Sequence, residues 1–303
     1  MTDFHACHMT DNPEISVITV NWNTRDLLRA CLKSVYATLG DIALEIIVVD
    51  NASQDDSADV VAREFPEVQV IRNDANLGFA AANNIGIRRA QSDFVMLLNP
   101  DTELRPGAGS LMLDFMKAHP EVGLAGPRLI SADGELQKSG RRFPTYLQEA
   151  LATTRLFRLV RSWYDARMIW GRLDFDRSVE VDEVSGACML IRRSALDQVG
   201  LLDERFFMYY EDVDLCYRLK KAGWKVYFVG EAEVVHRWAQ GAIKMGILRA
   251  NAMMYRSQYL YFLKHHGPVQ AVLLRLLSFI LLAVLRAKYA FIPPKQDGKE
   301  VPA

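Results

Sequence analysis

The sequence predicts an α/β fold, a mostly parallel sheet flanked by helices, followed by a C-terminal helical extension. Three observations predict it. Four runs, ISVITVNW (15–22), LEIIVVDNAS (44–53), VQVIRN (68–73) and DFVMLLNPD (93–101), are β-branched and apolar with little polar interruption, as strands covered on both faces are. Between them lie segments with apolar residues at helical spacing. Strand and helix alternate, which calls for right-handed crossovers and a parallel arrangement.

Taken in order, the strand at 15–22 is followed by TRDLLRACLKSVYAT, where Leu27, Leu28, Cys31, Leu32 and Val35 form one apolar face and Thr24 is the expected cap. The second strand ends at Asp50 and leads into DDSADVVAREF, an amphipathic helix. VQVIRN is a third strand, GFAAANNIGIRRA a helix and DFVMLLNPD a fourth strand. Pro100 forbids further ladder pairing, so that strand stops and leaves Asp101 beyond its carboxyl end. The stretch 105–130 then reads as a helix and a strand. Residues 138–180 are rich in Arg and aromatics and read either as an ordered helical insertion or as a flap over an acceptor. Further on, ACMLIRR is a strand, SALDQVG a short helix ended by glycine, VDLCYRLKKAG a helix ended by Gly223, WKVYFV a strand, and another apolar strand precedes His236.

The chain has 303 residues, 50% hydrophobic and 24% charged, an ordinary globular composition able to bury a large core. A formal net charge of -1 offers no global field for nucleic acid, which is excluded as a partner. Cys7, Cys31, Cys188 and Cys216 show no CxxC spacing, and the last three sit in apolar segments as small buried thiols do. His5, Cys7 and His8 read as a frayed polar terminus rather than a metal site. The first 14 residues lack the apolar core of a signal peptide, so a reducing cytoplasm is expected.

In such sheets ligands bind outside the carboxyl ends of strands. Asp50 and Asp101 both stand there, and their meeting in one crevice favours function over the helix-capping and turn readings that each allows alone. In NLGFAAANNIG, small side chains let a backbone approach a ligand and helix amides can meet phosphate, although alanines packing helix on sheet explain Ala80, Ala81 and Ala82 equally well. The dinucleotide glycine fingerprint is missing. Glu211 and Asp212 occupy the first turn of a helix behind the aromatic RFFMYY. Acids there are favoured by the dipole alone; the functional reading is a rigidly held carboxylate acting as general base on an acceptor hydroxyl. Adjacent helical acids point in different directions and so split roles. His236, at a strand end, stands open between a packed histidine and a ligand.

With these segments the chain resembles glycosyltransferase family 2, the inverting enzymes of the GT-A fold, and its rhamnosyltransferase-like branch. The matching stretches are VITVNWNTRDLLRACLKS, IIVVDNAS, NLGFAAANNIGI, LLNPDTEL, GACMLIRRSALDQVGLLDERFFMYYEDVDLCYRLKKAGW and VVHRW, spanning about 15–238. The resemblance implies a GT-A domain over 15–240 with a Rossmann-like sheet, an insertion or acceptor flap at 138–180, a flexible terminus over 1–14 and a C-terminal helical region over 241–303. It implies donor contacts by Asp50, Asn51, Asn76, Gly78, Asn99 and Asp101, with Asp50 on the nucleobase or ribose. It implies Mg²⁺ or Mn²⁺ held by Asp101 with His236, and Asp212, beside Glu211, as catalytic base. Asn99 replaces the first acid of the family's metal motif, keeping an oxygen ligand and removing a charge, and RWAQGA departs from the usual Gly-rich, Ser-containing continuation. The implied activity is inverting transfer of a sugar, rhamnose from dTDP-rhamnose or a sugar from a UDP-sugar, to a glycan or lipid-linked acceptor in bacterial cell-surface polysaccharide assembly. Two rivals are a nucleotide-sugar-binding module without turnover, against which Glu211 and Asp212 count, and a nucleotidyltransferase releasing diphosphate.

Finally, VQAVLLRLLSFILLAVLRAKYAFIPP holds about ten mostly apolar residues between Arg275 and Arg286, short of the ~20 that span a bilayer. Arg275, Arg286 and Lys288 can snorkel from a helix lying in the interface, on the cytoplasmic face of the inner membrane. A helix packed on its own domain or in a homodimer is the alternative.

Overall fold

The computed structural model describes residues 13–137, 139–154, 156–164, 174–237 and 246–291. The readings placed on His5, Cys7 and His8, on the AQGA after Trp238 and on the last twelve residues lie outside that set, as does the side chain of Lys288.

The alternation expected over the first hundred residues is present: β1 (Ile15–Asn21), α1 (Arg25–Leu39), β2 (Leu44–Asp50), α2 (Ser57–Glu64), β3 (Gln69–Arg72), α3 (Phe79–Arg89) and β4 (Phe94–Leu98). The four strands are parallel in the order β3-β2-β1-β4. β2 and β4 are buried at every position, which is why their sequences show no polar alternation. Side chains leave the sheet on alternate sides. Ile15, Val17, Ile46 and Val48 meet α1, α2 and α4 (Ala108–Ala118) on one face, whereas Ile18, Ile47 and Val49 meet α3, α7 (Arg193–Val199) and α8 (Glu211–Lys221) on the other. Each fully buried Leu or Ile contributes on the order of 1.5–3 kcal/mol.

Beyond β4 the sheet becomes mixed. β5 (Thr102–Leu104) is followed by β6 (Val122–Ile130), then the short β7 (Leu136–Gln137), β8 (Gly140–Arg141), β9 (Val179–Val181) and β10 (Glu183–Val184), and finally β11 (Cys188–Arg192) and β12 (Lys225–His236). β11 runs antiparallel between β4 and β6, and β12 lies parallel to β6. WKVYFV and the apolar run before His236, which read as two strands, are a single strand with a register irregularity between Val229 and Glu233. β5 was not legible: the chain turns at Asn99–Asp101 and re-enters the sheet antiparallel to β12, pairing Thr102 with His236. That return positions the site.

Within the Arg-rich insertion, between β8 and β9, the described residues form α5 (Tyr146–Thr154), a 3₁₀ turn (Leu156–Val160) and α6 (Arg161–Tyr164). α9 (Ile247–His265) and α10 (Pro268–Phe291) form a hairpin. Phe206 and Val213 of the main domain join Tyr261, Phe262, Ala271 and Leu274 of the hairpin in a third apolar cluster. No helix among the described residues is long and apolar enough to cross a membrane.

Candidate active site

The carboxyl ends of β1, β2 and β4, the end of β12 and the start of α8 meet along one edge of the sheet. Asp50 closes β2 in register with Asn21 of β1, and its Oδ1 accepts a 2.9 Å hydrogen bond from the Asn21 amide. Its Oδ2 accepts from the Ser53 backbone N–H at 3.0 Å. A carboxylate offers roughly four acceptor directions, so both oxygens keep capacity for ribose or base donors. The Thr24 hydroxyl donates to Asn21 Oδ1 at 2.6 Å instead of capping α1, and Ser53 Oγ accepts from Asn21 and from the Asn23 N–H rather than reaching α2. Both hydroxyls serve the loop that holds Asp50.

Asn51, almost fully buried, organises the next loop. Its amide donates to Asn76 Oδ1 (3.1 Å) and to the Gly78 carbonyl (3.2 Å), while its own oxygen accepts from Asn73 and from the Leu77 N–H. Asn76 Oδ1 also accepts from the Gly78 N–H. Gly78 has φ +86°, and a Cβ there would lie 2.5 Å from the Phe207 carbonyl oxygen. The Phe79 N–H donates to that same oxygen at 2.6 Å. The Asn51 loop is thus docked on the segment leading into α8.

Asn99 and Asp101 flank the proline after β4, one strand removed from Asp50. With strands ~4.8 Å apart, Asp50 and Asn99 stand roughly 10 Å from each other. The Asn99 N–H donates to the Ala187 carbonyl at 2.9 Å, and the Asn99 carbonyl accepts from the Thr102 N–H and hydroxyl. Asp101 Oδ1 lies 3.6 Å from His236 Nε2, both side chains being largely buried. His236 Nδ1 is 2.8 Å from Gln137 Oε1, and the Gln137 amide donates to the His236 carbonyl. Gln137 Oε1 can only accept, so Nδ1 carries the proton. Burial pulls His236 down to about 4, so near neutrality the ring is uncharged and Nε2 turns a lone pair towards Asp101. A carboxylate oxygen and an imidazole lone pair at this separation could serve as two neighbouring ligands of one divalent cation. Among the described residues no group of three or more His, Cys, Asp or Glu could hold a metal. Two protein donors alone would leave a divalent cation to complete its shell from substrate and water.

Asp212 and Glu211 begin α8 after two consecutive tyrosines in the left-handed region, Tyr209 (φ 70°) and Tyr210 (φ 68°). Such conformations are costly outside glycine and concentrate at functional sites. The two acids have different surroundings. Asp212 is half-buried; its Oδ2 accepts from the Gly186 N–H at 2.8 Å and its Oδ1 from the Val213 N–H at 2.9 Å. Glu211 is buried, and its Oε2 has no hydrogen-bond partner among the described residues. Burial, with the neighbouring charge of Asp212, pushes Glu211 well above the usual carboxylate range. Behind them Glu183 pairs with Arg141 at 2.8 Å. Burial pushes Glu183 up to about 8; Arg141 opposes that shift and Asp212 adds to it.

Gly186 and Ala187 link the halves, since one binds Asp212 and the other binds Asn99. Two residues plus two hydrogen bonds keep Asp212 and the Asn99 backbone within roughly 12 Å. Every sequence-derived site residue, from Asp50 and Asn51 through Asn76, Gly78, Asn99 and Asp101 to Glu211, Asp212 and His236, lies on this edge or in the loops tied to it. Asn21, Gln137, Gly186 and the Arg141–Glu183 pair were not anticipated. Gly186 carried a weak signal as the glycine just before a strand; Gln137 and Arg141 carried none.

Residues 16–200 match the model of glycosyl transferase family 2. The chain is 31% identical over 277 residues to an N-acetylglucosaminyl-diphospho-decaprenol L-rhamnosyltransferase of Mycobacterium tuberculosis, an alignment covering 86% of each chain. Among solved structures it is similar to GalNAc-T7 with UDP, GalNAc and Mn²⁺ (TM-score 0.58, 15% identity, 92% of this chain and 57% of that one). It is also similar to a mannosyltransferase from Pyrobaculum calidifontis in complex with GDP-Man and Mn²⁺ (TM-score 0.56, 16% identity, 94% and 77%). At such identity these two establish the fold, a GT-A sheet. The family match and the rhamnosyltransferase relative agree: this chain is a glycosyltransferase and belongs to family 2.

Proposed function

We propose that this glycosyltransferase inverts the anomeric carbon as it moves a sugar from a nucleoside diphosphate to a hydroxyl of a lipid-linked glycan, in bacterial cell-surface polysaccharide assembly. Rhamnose from dTDP-rhamnose is the donor favoured by the mycobacterial relative, and a UDP-sugar is the alternative. The observation that carries the reading is the pairing of Asp101 Oδ1 with His236 Nε2 at 3.6 Å on the sheet edge that also carries a separate carboxylate, Asp212, anchored on Gly186.

Asp50 holds the nucleoside end, and Asn76, Gly78 and Asn99 line its path towards the diphosphate; Asn51, expected to contact the donor, spends its amide and its oxygen on Asn73, Asn76, Leu77 and Gly78 and shapes the loop instead. Asp101 and His236 would hold a divalent cation, which when bound would neutralise charge developing on the departing nucleoside diphosphate. Magnesium prefers oxygen ligands, so the imidazole donor favours Mn²⁺. Glu211, held towards its neutral form, is the poorer base. Asp212 takes the proton of the acceptor hydroxyl, whose oxygen attacks the face opposite the diphosphate. General-base help of this kind is worth about 10²–10⁴ in rate. Asp212→Asn, assayed for transfer to an N-acetylglucosaminyl-diphospho-prenol, keeps metal-dependent donor affinity and loses most turnover. Turnover near wild type would remove Asp212 from this role.

A lipid-linked acceptor also gives meaning to the C-terminal hairpin. Val269, Val272, Leu273, Leu276, Phe279 and Ile280 are exposed along α10 at helical spacing, and Arg275 lies over the Phe279 ring at 4.6 Å. This stripe suits a helix resting in a membrane interface.

A further inference from the structure

Two residues past Asp212, Asp214 is completely buried and carries an unusual set of partners. Arg218 of its own helix donates to Oδ2 at 2.8 Å. From α9, Lys264 Nζ lies 2.6 Å and His265 Nε2 2.7 Å from Oδ1. Each partner reaches onward. Arg218 also donates to the carbonyls of Val199, Gly200 and Leu201, and Lys264 also pairs with Asp203 at 2.8 Å. Two turns earlier on α9, Ser257 Oγ donates to the Met208 carbonyl at 2.8 Å, and one turn earlier the Tyr261 ring packs 5.5 Å from Tyr210.

These contacts bracket the strained turn. Residues 199–203 are held on one side, Met208 and Tyr210 in the middle, and Asp214 on the other, with the Asp214 N–H donating to the Tyr210 carbonyl at 2.9 Å. Apolar packing stabilises as well as a buried ion cluster does, whereas fixed charges and directional bonds specify geometry. Two adjacent left-handed tyrosines persist only where their surroundings over-determine them, and much of that determination comes from a helix outside the sheet.

We propose that α9 is a positioning element for the catalytic turn: Lys264 and His265, through Asp214, hold Asp212 at the angle that transfer requires. This rests on the reading of Asp212 as general base. The C-terminal hairpin therefore acts on the chemical step and does not merely extend the acceptor surface.

The test uses the full-length chain with His265→Phe, Lys264→Met and His265→Gln, the last placing an amide nitrogen near the Nε2 position. A misplacement of about 1 Å costs on the order of 10²-fold in rate. His265→Phe is expected to lose about that factor in kcat while calorimetric donor affinity with Mn²⁺ stays unchanged, and His265→Gln is expected to recover most of the loss. Lys264→Met, at a partly exposed position, shows the same split more weakly and covers the case in which His265→Phe does not fold. Amide hydrogen exchange across 208–214 speeds up in His265→Phe. Unchanged exchange there overturns the proposal whatever the rate does, and faster exchange with wild-type kcat overturns it as well. Wild-type turnover is a separate check: a wild-type chain inactive with every nucleotide sugar removes the functional reading, while exchange across 208–214 still reports on the latch.

Discussion

Replacing Gly78 with alanine probes the joint between the Asn51 loop and the turn that opens α8. Gly78 has φ +86° and ψ 176°, a region essentially reserved for glycine, and placing alanine there costs about 1–3 kcal/mol. The new Cβ would stand 2.5 Å from the Phe207 oxygen and 2.7 Å from its ring, so Phe207 must retreat by about 1 Å to reach ordinary contact. That retreat strains the Phe79–Phe207 hydrogen bond, worth a further 0.5–1.5 kcal/mol or so. The sum is about 1.5–4.5 kcal/mol, or roughly 3–9 °C in Tm at ~2 °C per kcal/mol for a chain of this size. Phe207 lies four residues before Glu211, so kcat/KM for transfer is expected to fall by about 10²-fold. Calorimetric melting and a transfer assay read the two effects. Gly223→Ala is the control: its φ of +93° carries the conformational penalty of about 1–2 kcal/mol, but nothing lies within 4 Å of the added carbon. Equal Tm losses for the two variants, or full activity in Gly78→Ala, would refute the coupling of the loops through Phe207.

Three other outcomes are expected. Asp101→Ala and His236→Ala each weaken donor binding in the presence of Mn²⁺ and leave metal-free binding unchanged; calorimetric titration giving wild-type affinity with metal present would exclude the pair as its ligands. Glu183 has a raised folded-state pKa of about 8, so the native state holds its proton more tightly than the unfolded chain, and stability falls as pH rises from the ordinary carboxylate range towards 8. Glu183→Gln should therefore stabilise more at pH 8 than at pH 5, and an equal change in Tm at both would contradict that origin. Full-length protein should float with anionic liposomes and a chain ending near Gly267 should not; equal flotation would end the membrane reading of the α10 stripe.

Much of the site was legible in the sequence because its residues sit at punctuation marks. Asp50 ends an apolar strand, Asn99 and Asp101 bracket a proline, and Glu211 and Asp212 open a helix, so local periodicity located each of them. Thr24 stands at the N-cap of α1, but its hydroxyl is taken by Asn21 three residues earlier, and Ser53 is held by Asn21 and Asn23 from 30 or more residues away, a link that local spacing does not show. Gln137 is a solitary amide in a two-residue strand, yet it selects the tautomer of a histidine 99 positions away.

The sequence by itself determined the alternating α/β sheet, its two covered faces and the edge on which ligands would gather, since burial and periodicity are short-range properties of the chain. Only the tertiary structure decided what those residues face. The hidden return of β5 against β12 brings Asp101 to His236, Gly186 anchors Asp212, and a distant helix grips the turn that presents it. Those pairings are hydrogen bonds and ion pairs between segments 26 to 135 residues apart, whose strength depends on a direction and a distance that no local pattern encodes.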